Sequence, residues 1–209
     1  MSNFLGVPVD VAAFGADFYA TSAYKWSGPH IGTVVADPAL LDSLHPDKLA
    51  PAPAGVPGRF ERGTAAFADL AGVVAAVEHL ASLGPGPDLV VATRRQRVLA
   101  SMAAVERYET QLFTRLFDGL DAMEHVTSYG RAALRAPTAF FTVAGRTPQQ
   151  VAEHLAARQV NVWSGDNYAW ELVGALGLRD SGGAVRAGLV HYNDQADVDR
   201  LLAAVAELA

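Results

Sequence analysis

The sequence predicts an α/β protein whose C-terminal part is α+β, and three observations carry that expectation. Short β-branched or aromatic runs at Phe18–Ala23, Thr33–Ala36, Ala139–Val143 and Ala184–His191 alternate with longer stretches of helical periodicity. Helix-start signals stand at Asp37-Pro38 and Thr147-Pro148, each placing Pro in the first turn. The break Gly84-Pro85-Gly86-Pro87 divides the chain into two domains, 1–86 and 87–209. At 209 residues, 51% hydrophobic and 18% charged, the chain has apolar content for a real core and too little charge for disorder.

Residues 7–24 read as a turn or loop entering the strand Phe18–Ala23, which delivers Lys25. Thr33–Ala36 is a second strand, and a helical turn follows around Leu40, Leu41 and Leu44. Residues 45–58, rich in Pro, Ala and Gly, read as a loop. Phe67, Leu70, Val73, Val74, Val77 and Leu80 form a helical stripe for which Thr64 is the expected N-cap. A second long helix is expected from Leu89 to Leu120, with Arg94, Arg95 and Arg97 on a solvated face and Leu99, Met102, Val105, Leu112 and Leu116 on an apolar one. Beyond a turn at Ser128–Gly130 come a strand Ala139–Val143, a helix from Pro148 to about Arg158, and a strand Val160–Trp163. A loop 164–167, a helix Tyr168–Leu176, a strand Ala184–His191 and a final helix Asp194–Leu208 complete the order, with helices on one face of the sheet.

Composition narrows the function. A net charge of −6 with scattered arginines argues against nucleic acid as a partner. With no cysteine there is no disulfide, thiolate metal site or cysteine nucleophile, and the six histidines are dispersed without ligand spacing, so no metal is expected. The N-terminus has no basic region before an apolar run, and no apolar run is long enough for a membrane, so a soluble, cytoplasmic protein is expected. Dinucleotide fingerprints, phosphate loops and G-x-S-x-G elbows are absent from the sequence.

Three features remain. Lys25 is one of only two lysines, beside Lys48, and offers a deprotonatable amine that arginine cannot. Gly63-Thr64 stands before a helix, where backbone N–H groups and a hydroxyl suit an anion. Arg186 lies between apolar strand residues and needs a carboxylate or phosphate partner. Each has an ordinary alternative: a strand-end lysine with its head in water, a plain N-cap, an internal salt bridge. Together an amine, an anion cradle and a carboxylate fork suggest pyridoxal phosphate chemistry on an amino acid.

The segments SAYKWSGPHIG (22–32), RFERGT (59–64), VNVWSGDNYAWELVGALGL (160–178) and VRAGLVHYNDQADVDRLL (185–202) resemble, in order, the signatures of class V aminotransferases. The resemblance is greatest to their cysteine desulfurase-like subgroup. It implies a pyridoxal 5'-phosphate cofactor with Lys25 as its Schiff-base lysine. Ser22 and Tyr24, the latter where the family often has His, would hold the cofactor phosphate. Gly63 and Thr64 would reach the phosphate of a neighbouring subunit in a homodimer, and Arg186 would grip the substrate α-carboxylate. Two departures accompany it. Tyr168 aligns where desulfurases carry their catalytic cysteine, so the persulfide route is closed. Lys25 also lies close to Met1, whereas family members carry most of a large domain before this lysine. The expectation is therefore a truncated transferase fold: a remnant of the large-domain sheet in 1–86 and a complete small α+β domain in 87–209. Its partner would be a separately encoded N-terminal half or a second copy. A non-catalytic interaction or dimerisation module is the alternative.

Overall fold

The computed structural model describes residues 9–84 and 92–209. They form two compact units, residues 9–101 and 102–209; the expected boundary at 86/87 lies outside the described residues. The architecture is mixed α/β with two small sheets, as the alternation of patterns predicted.

In the first unit β1 (Phe18–Ser22) pairs antiparallel with β2 (Gly32–Ala36), in the register Phe18↔Ala36 to Ser22↔Gly32. The strand ends at Ser22 rather than Ala23, so Lys25 sits in a 3-10 turn, Ala23–Trp26, between the strands. Helix α1 (Pro38–Ser43) starts as expected, with the Asp37 side chain accepting from the Ala39 and Leu40 N–H groups. The loop that follows is tied back by Arg59, whose guanidinium donates to the Asp42 and Leu44 carbonyls and to the Asp42 carboxylate. Helix α2 (Phe67–Ala81) is capped by Ala66 without a side-chain bond, so Thr64 is not its N-cap. The reason is local: the Phe67 N–H turns tightly onto the Ala65 carbonyl, and the first helical bond runs from Leu70 to Ala66. Helix α3 (Arg94–Asp121) begins after Thr93, whose hydroxyl accepts from the Gln96 N–H while the Gln96 side chain accepts from Thr93. The expected start at Leu89 lies outside the described residues. Arg94 and Arg97 are not simply solvated, since both pair with Glu78 on α2.

The second unit holds an antiparallel sheet in the order β3-β4-β6-β5. Its strands are β3 (Val126–Tyr129), β4 (Thr138–Val143), β5 (Trp163–Gly165) and β6 (Ala184–Gly188). Strand β3 falls where a turn was expected. Strand β5 starts three residues later than predicted, and β6 stops at Gly188. Ala139, Phe141, Val143, Val185 and Ala187 alternate onto one face and pack against Leu112, Leu116 and Leu120 of α3. The same core takes Val151 and Leu155 from α4 (Pro148–Ala156), and Val198, Leu201 and Val205 from α6 (Gln195–Ala206). Both of these helices open with reciprocal capping boxes, Thr147 with Gln150 and Asp194 with Asp197. Helix α5 (Trp170–Ala175) is shorter than predicted and does not join that core. Its Val173, with Leu178 and Ala184, packs beside Tyr129 and Phe140, which face away from the main core. Helices therefore cover both faces, not one.

Glu109 on α3 is the exception in this unit. It is 1% exposed, and among the described residues neither carboxyl oxygen meets a hydrogen-bond partner. Burial pushes its acid up to about 7. A folded value raised above the unfolded one near 4.5 favours the protonated form in the fold. The stabilising difference is thus full below the unfolded value and is lost as pH rises through the folded one. Between about pH 5 and about pH 8, the wild type is expected to lose on the order of 1–3 kcal/mol of stability that Glu109→Gln does not lose. Urea unfolding at the two pH values measures this, and parallel losses in both proteins would contradict it.

Candidate functional site

The predicted residues fall in both units: Ser22, Tyr24, Lys25, Gly63 and Thr64 in the first, Arg186 in the second. The turn that carries Lys25 closes on itself. Ala23, fully buried, receives the Gly28 N–H on its carbonyl at 2.8 Å, and its own N–H donates to Ile31 O at 2.9 Å. Ser27 takes a left-handed backbone, φ 68°, to let the chain fold back. Gly28 is required by contact rather than by conformation, because a Cβ there would lie 2.8 Å from the Ala23 Cβ. Trp26 donates its indole N–H to Thr21 Oγ1 at 3.0 Å, and Pro29 rests against Gly72 of α2. The lysine is thus held by a strand pair below and a helix behind.

Lys25 itself is half-buried. Its Nζ stands 5.7 Å from the centroid of the Tyr24 ring. That ring stacks on His30 with centroids 4.7 Å apart and planes 5° from parallel. Among the described residues no carboxylate pairs with Lys25, so its amine is not committed to a salt bridge. Gly63, φ 74°, and Thr64 are exposed and precede the helix by a turn, with Thr64 offering its hydroxyl to solvent rather than to the helix end.

Arg186 is placed by register. Tyr129 pairs with Phe140, Phe140 with Arg186, and Arg186 with Trp163, so one cross-strand row spans all four strands. Directly opposed residues point to the same face, and this row lies opposite Phe141, Val185 and Ala187, on the face away from the main core. Burial holds the Arg186 guanidinium below the usual arginine range. Among the described residues no acid lies within salt-bridge distance of it, so the internal ion pair offered as its ordinary alternative is absent. A desolvated guanidinium without a counter-charge is costly, and a carboxylate ligand would relieve it. Trp163, its neighbour in this row, escapes a reading by motif; strict alternation through TAFFTV and AVRAG could have placed Phe140 and Arg186 on one face, but only pairing adds Trp163.

Downstream of β5 the loop is strained and tightly tied. Asn167 and Tyr168 have φ 55° and 61°, unusual for residues with side chains. The Tyr168 N–H donates to Asp166 Oδ1 at 3.0 Å, and Asn167 Nδ2 donates to Gly165 O at 3.0 Å. The side chain of Tyr168 is left 94% exposed. A separate cavity of about 440 Å³ opens beside Val162, Leu189 and Leu201. Its polar residues Asn193 and Asp197 are bonded to each other and to the start of α6. Among the described residues no three His, Asp or Glu side chains converge as a metal site, and no helix is long and apolar enough to cross a membrane.

The family model for aminotransferase class-V matches residues 1–201. An uncharacterised protein of Mycobacterium tuberculosis is 33% identical over 201 residues, covering 96% of this chain and 49% of its own length. An aminotransferase-like protein of Gibberella zeae is 33% identical over 204 residues, covering 94% of this chain and 47% of its own. Among solved structures, the apo cysteine desulfurase of Thermococcus onnurineus superposes with a TM-score of 0.79 at 27% identity, over 99% of this chain and 50% of that one. The chain spans about half the length of these curated relatives.

Gly28→Ala is expected to spring the lysine turn open, because its Cβ meets buried backbone and the Ala23 methyl with no flexible side chain to yield. The cost should be about 1–3 kcal/mol. Faster amide hydrogen exchange at Ala23 and Gly28, with the second unit unchanged, would report it; unaltered exchange would show the turn to be looser than its packing implies.

Proposed function

We propose that this chain, which belongs to the aminotransferase class-V family, supplies the cofactor lysine and the substrate-carboxylate arginine of a pyridoxal-phosphate site acting on an amino acid. One observation carries the reading: in a chain with two lysines, Lys25 is seated on a self-closed turn, half-buried, with no acid partner among the described residues. Schiff-base chemistry needs an amine nucleophile, and no carboxylate among the described residues pairs with this one.

The residues present fit the group. Lys25 would hold the cofactor through its amine and would be the group that takes and returns the proton at the substrate α-carbon. Ser22 and Tyr24 flank it with hydroxyls suited to a phosphate, and the exposed Gly63–Thr64 segment would serve the phosphate of a second copy in a homodimer. Arg186 binds and orients the substrate carboxylate through its two-pronged guanidinium. Pyridoxal phosphate, when bound, supplies an electron sink for negative charge at that carbon. With no cysteine in the chain, no thiol of its own can accept sulfur from a substrate, so the chemistry proposed is transfer or lyase chemistry on the amino acid without a persulfide step.

The first unit also exposes Phe18, Val34 and Val35 on the strand pair, and Phe67, Leu70 and Val74 at helical spacing along α2. Among the described residues, no third strand pairs with either edge of this pair. The relatives are about twice as long as the match, and we propose that the other half of the family fold, on whichever polypeptide carries it, covers this surface and completes the site.

Mixing the chain with pyridoxal phosphate and the N-terminal half of a full-length relative, then reducing with borohydride and mapping peptides, tests the assignment. The expected result is labelling at Lys25, at least tenfold over Lys48, and its loss in Lys25→Ala. Equal labelling of both lysines, or none, would reject the catalytic reading in favour of an interaction module.

A further inference from the structure

The geometry points to Trp163 as the residue that selects the substrate, favouring an amino acid with a flat, apolar side chain. The inference rests on the reading of Arg186 as the carboxylate partner and adds to it the identity of what the carboxylate is attached to. The row Tyr129–Phe140–Arg186–Trp163 is closed at one end and open at the other. Tyr129 and Phe140 pack edge-on with centroids 6.1 Å apart, and Val173 and Leu178 cover them. Trp163, on the edge strand β5, is 59% exposed. A carboxylate seated on Arg186 therefore leaves the rest of its molecule on the Trp163 side.

That side offers the apolar surface of Trp163 beside small, uncharged strand neighbours. On the same face, the rows adjoining Arg186 are Gly188–Thr138 and Gly165–Ala184, small and uncharged. Of the acids next along the chain, Asp166 accepts the Tyr168 N–H through Oδ1, and Glu171 pairs with Arg179 at 3.5 Å. Arg179 in turn lies over the Trp170 ring, 4.3 Å from its centroid. Among the described residues next along the chain, Arg179 is paired with Glu171, so an acidic substrate side chain would meet no unpaired cation there. An aromatic side chain would meet an indole face, and such contacts favour offset or edge-on packing beyond area burial alone. Small side chains would leave Trp163 in water, gaining nothing from it.

The test uses the full chain, labelled with nitrogen-15, titrated separately with L-phenylalanine, L-alanine and L-glutamate. The signals followed are the Arg186 Nε–H and the Trp163 indole N–H. L-Phenylalanine should shift both, with a Kd about fivefold below that of L-alanine, and L-glutamate should bind no better than L-alanine. Trp163→Ala should erase the phenylalanine advantage while L-alanine binding stays within twofold, and Trp163→Phe should keep most of it. Unchanged amide spectra in both variants exclude unfolding as the cause. Equal affinity for phenylalanine and alanine, with Arg186 still responding, overturns the selection by Trp163 and leaves the carboxylate reading intact. No response at Arg186 to any of the three overturns both. A Trp163 signal that moves with protein concentration but not with amino acid overturns the proposal in favour of an interface there.

Discussion

Neighbouring residues of a β-strand cannot face the same way, and the second unit is arranged around that constraint as it acts on β6. Val185 and Ala187 must enter the core for α3, α4 and α6 to pack, so Arg186 is forced onto the opposite face. Pairing with β4 and β5 then fixes its neighbours as Phe140 and Trp163. A slip of one residue would bury the guanidinium among leucines and valines, so the core's demand for apolar packing and the arginine's position are one requirement. The capping boxes that start α4 and α6 support it indirectly, by setting where those helices meet the sheet.

The first unit follows another logic. Its lysine turn is tightly determined by the Ala23–Gly28 contact, the Ile31 bond and the Pro29–Gly72 packing. Yet the strands that flank it leave large apolar groups in water. Local geometry there is complete while burial is not.

Much of this was legible in the sequence, for identifiable reasons. The α/β class, the family and the starts of α1, α4 and α6 followed from periodicity, signature segments and capping residues, all of which act over a few positions. The ends of β1 and β6, the start of β5 and the existence of β3 did not, because strand limits depend on a partner far away in the chain: Val126 becomes a strand residue by pairing with Val143. Thr64 was misplaced as a cap because the Gly63 bend and the Ala65–Phe67 turn delay the helix by residues with no distinctive chemistry. Arg186 was visible as a charge among apolar neighbours, but that no acid among the described residues pairs with it could be seen only in three dimensions.

The loop at Asp166–Tyr168 has a consequence for how such proteins diversify. Its backbone is held by main-chain and Asp/Asn bonds and by the close approach of Gly183 to the Gly165 carbonyl, not by the side chain of residue 168. That side chain hangs free of the scaffold, so exchanging it alters the reagent on display without reshaping the mount. At residue 168 this chain presents an exposed phenol on a mount that does not depend on it. A position so insulated lets a lineage abandon one chemistry and explore another with little penalty in folding.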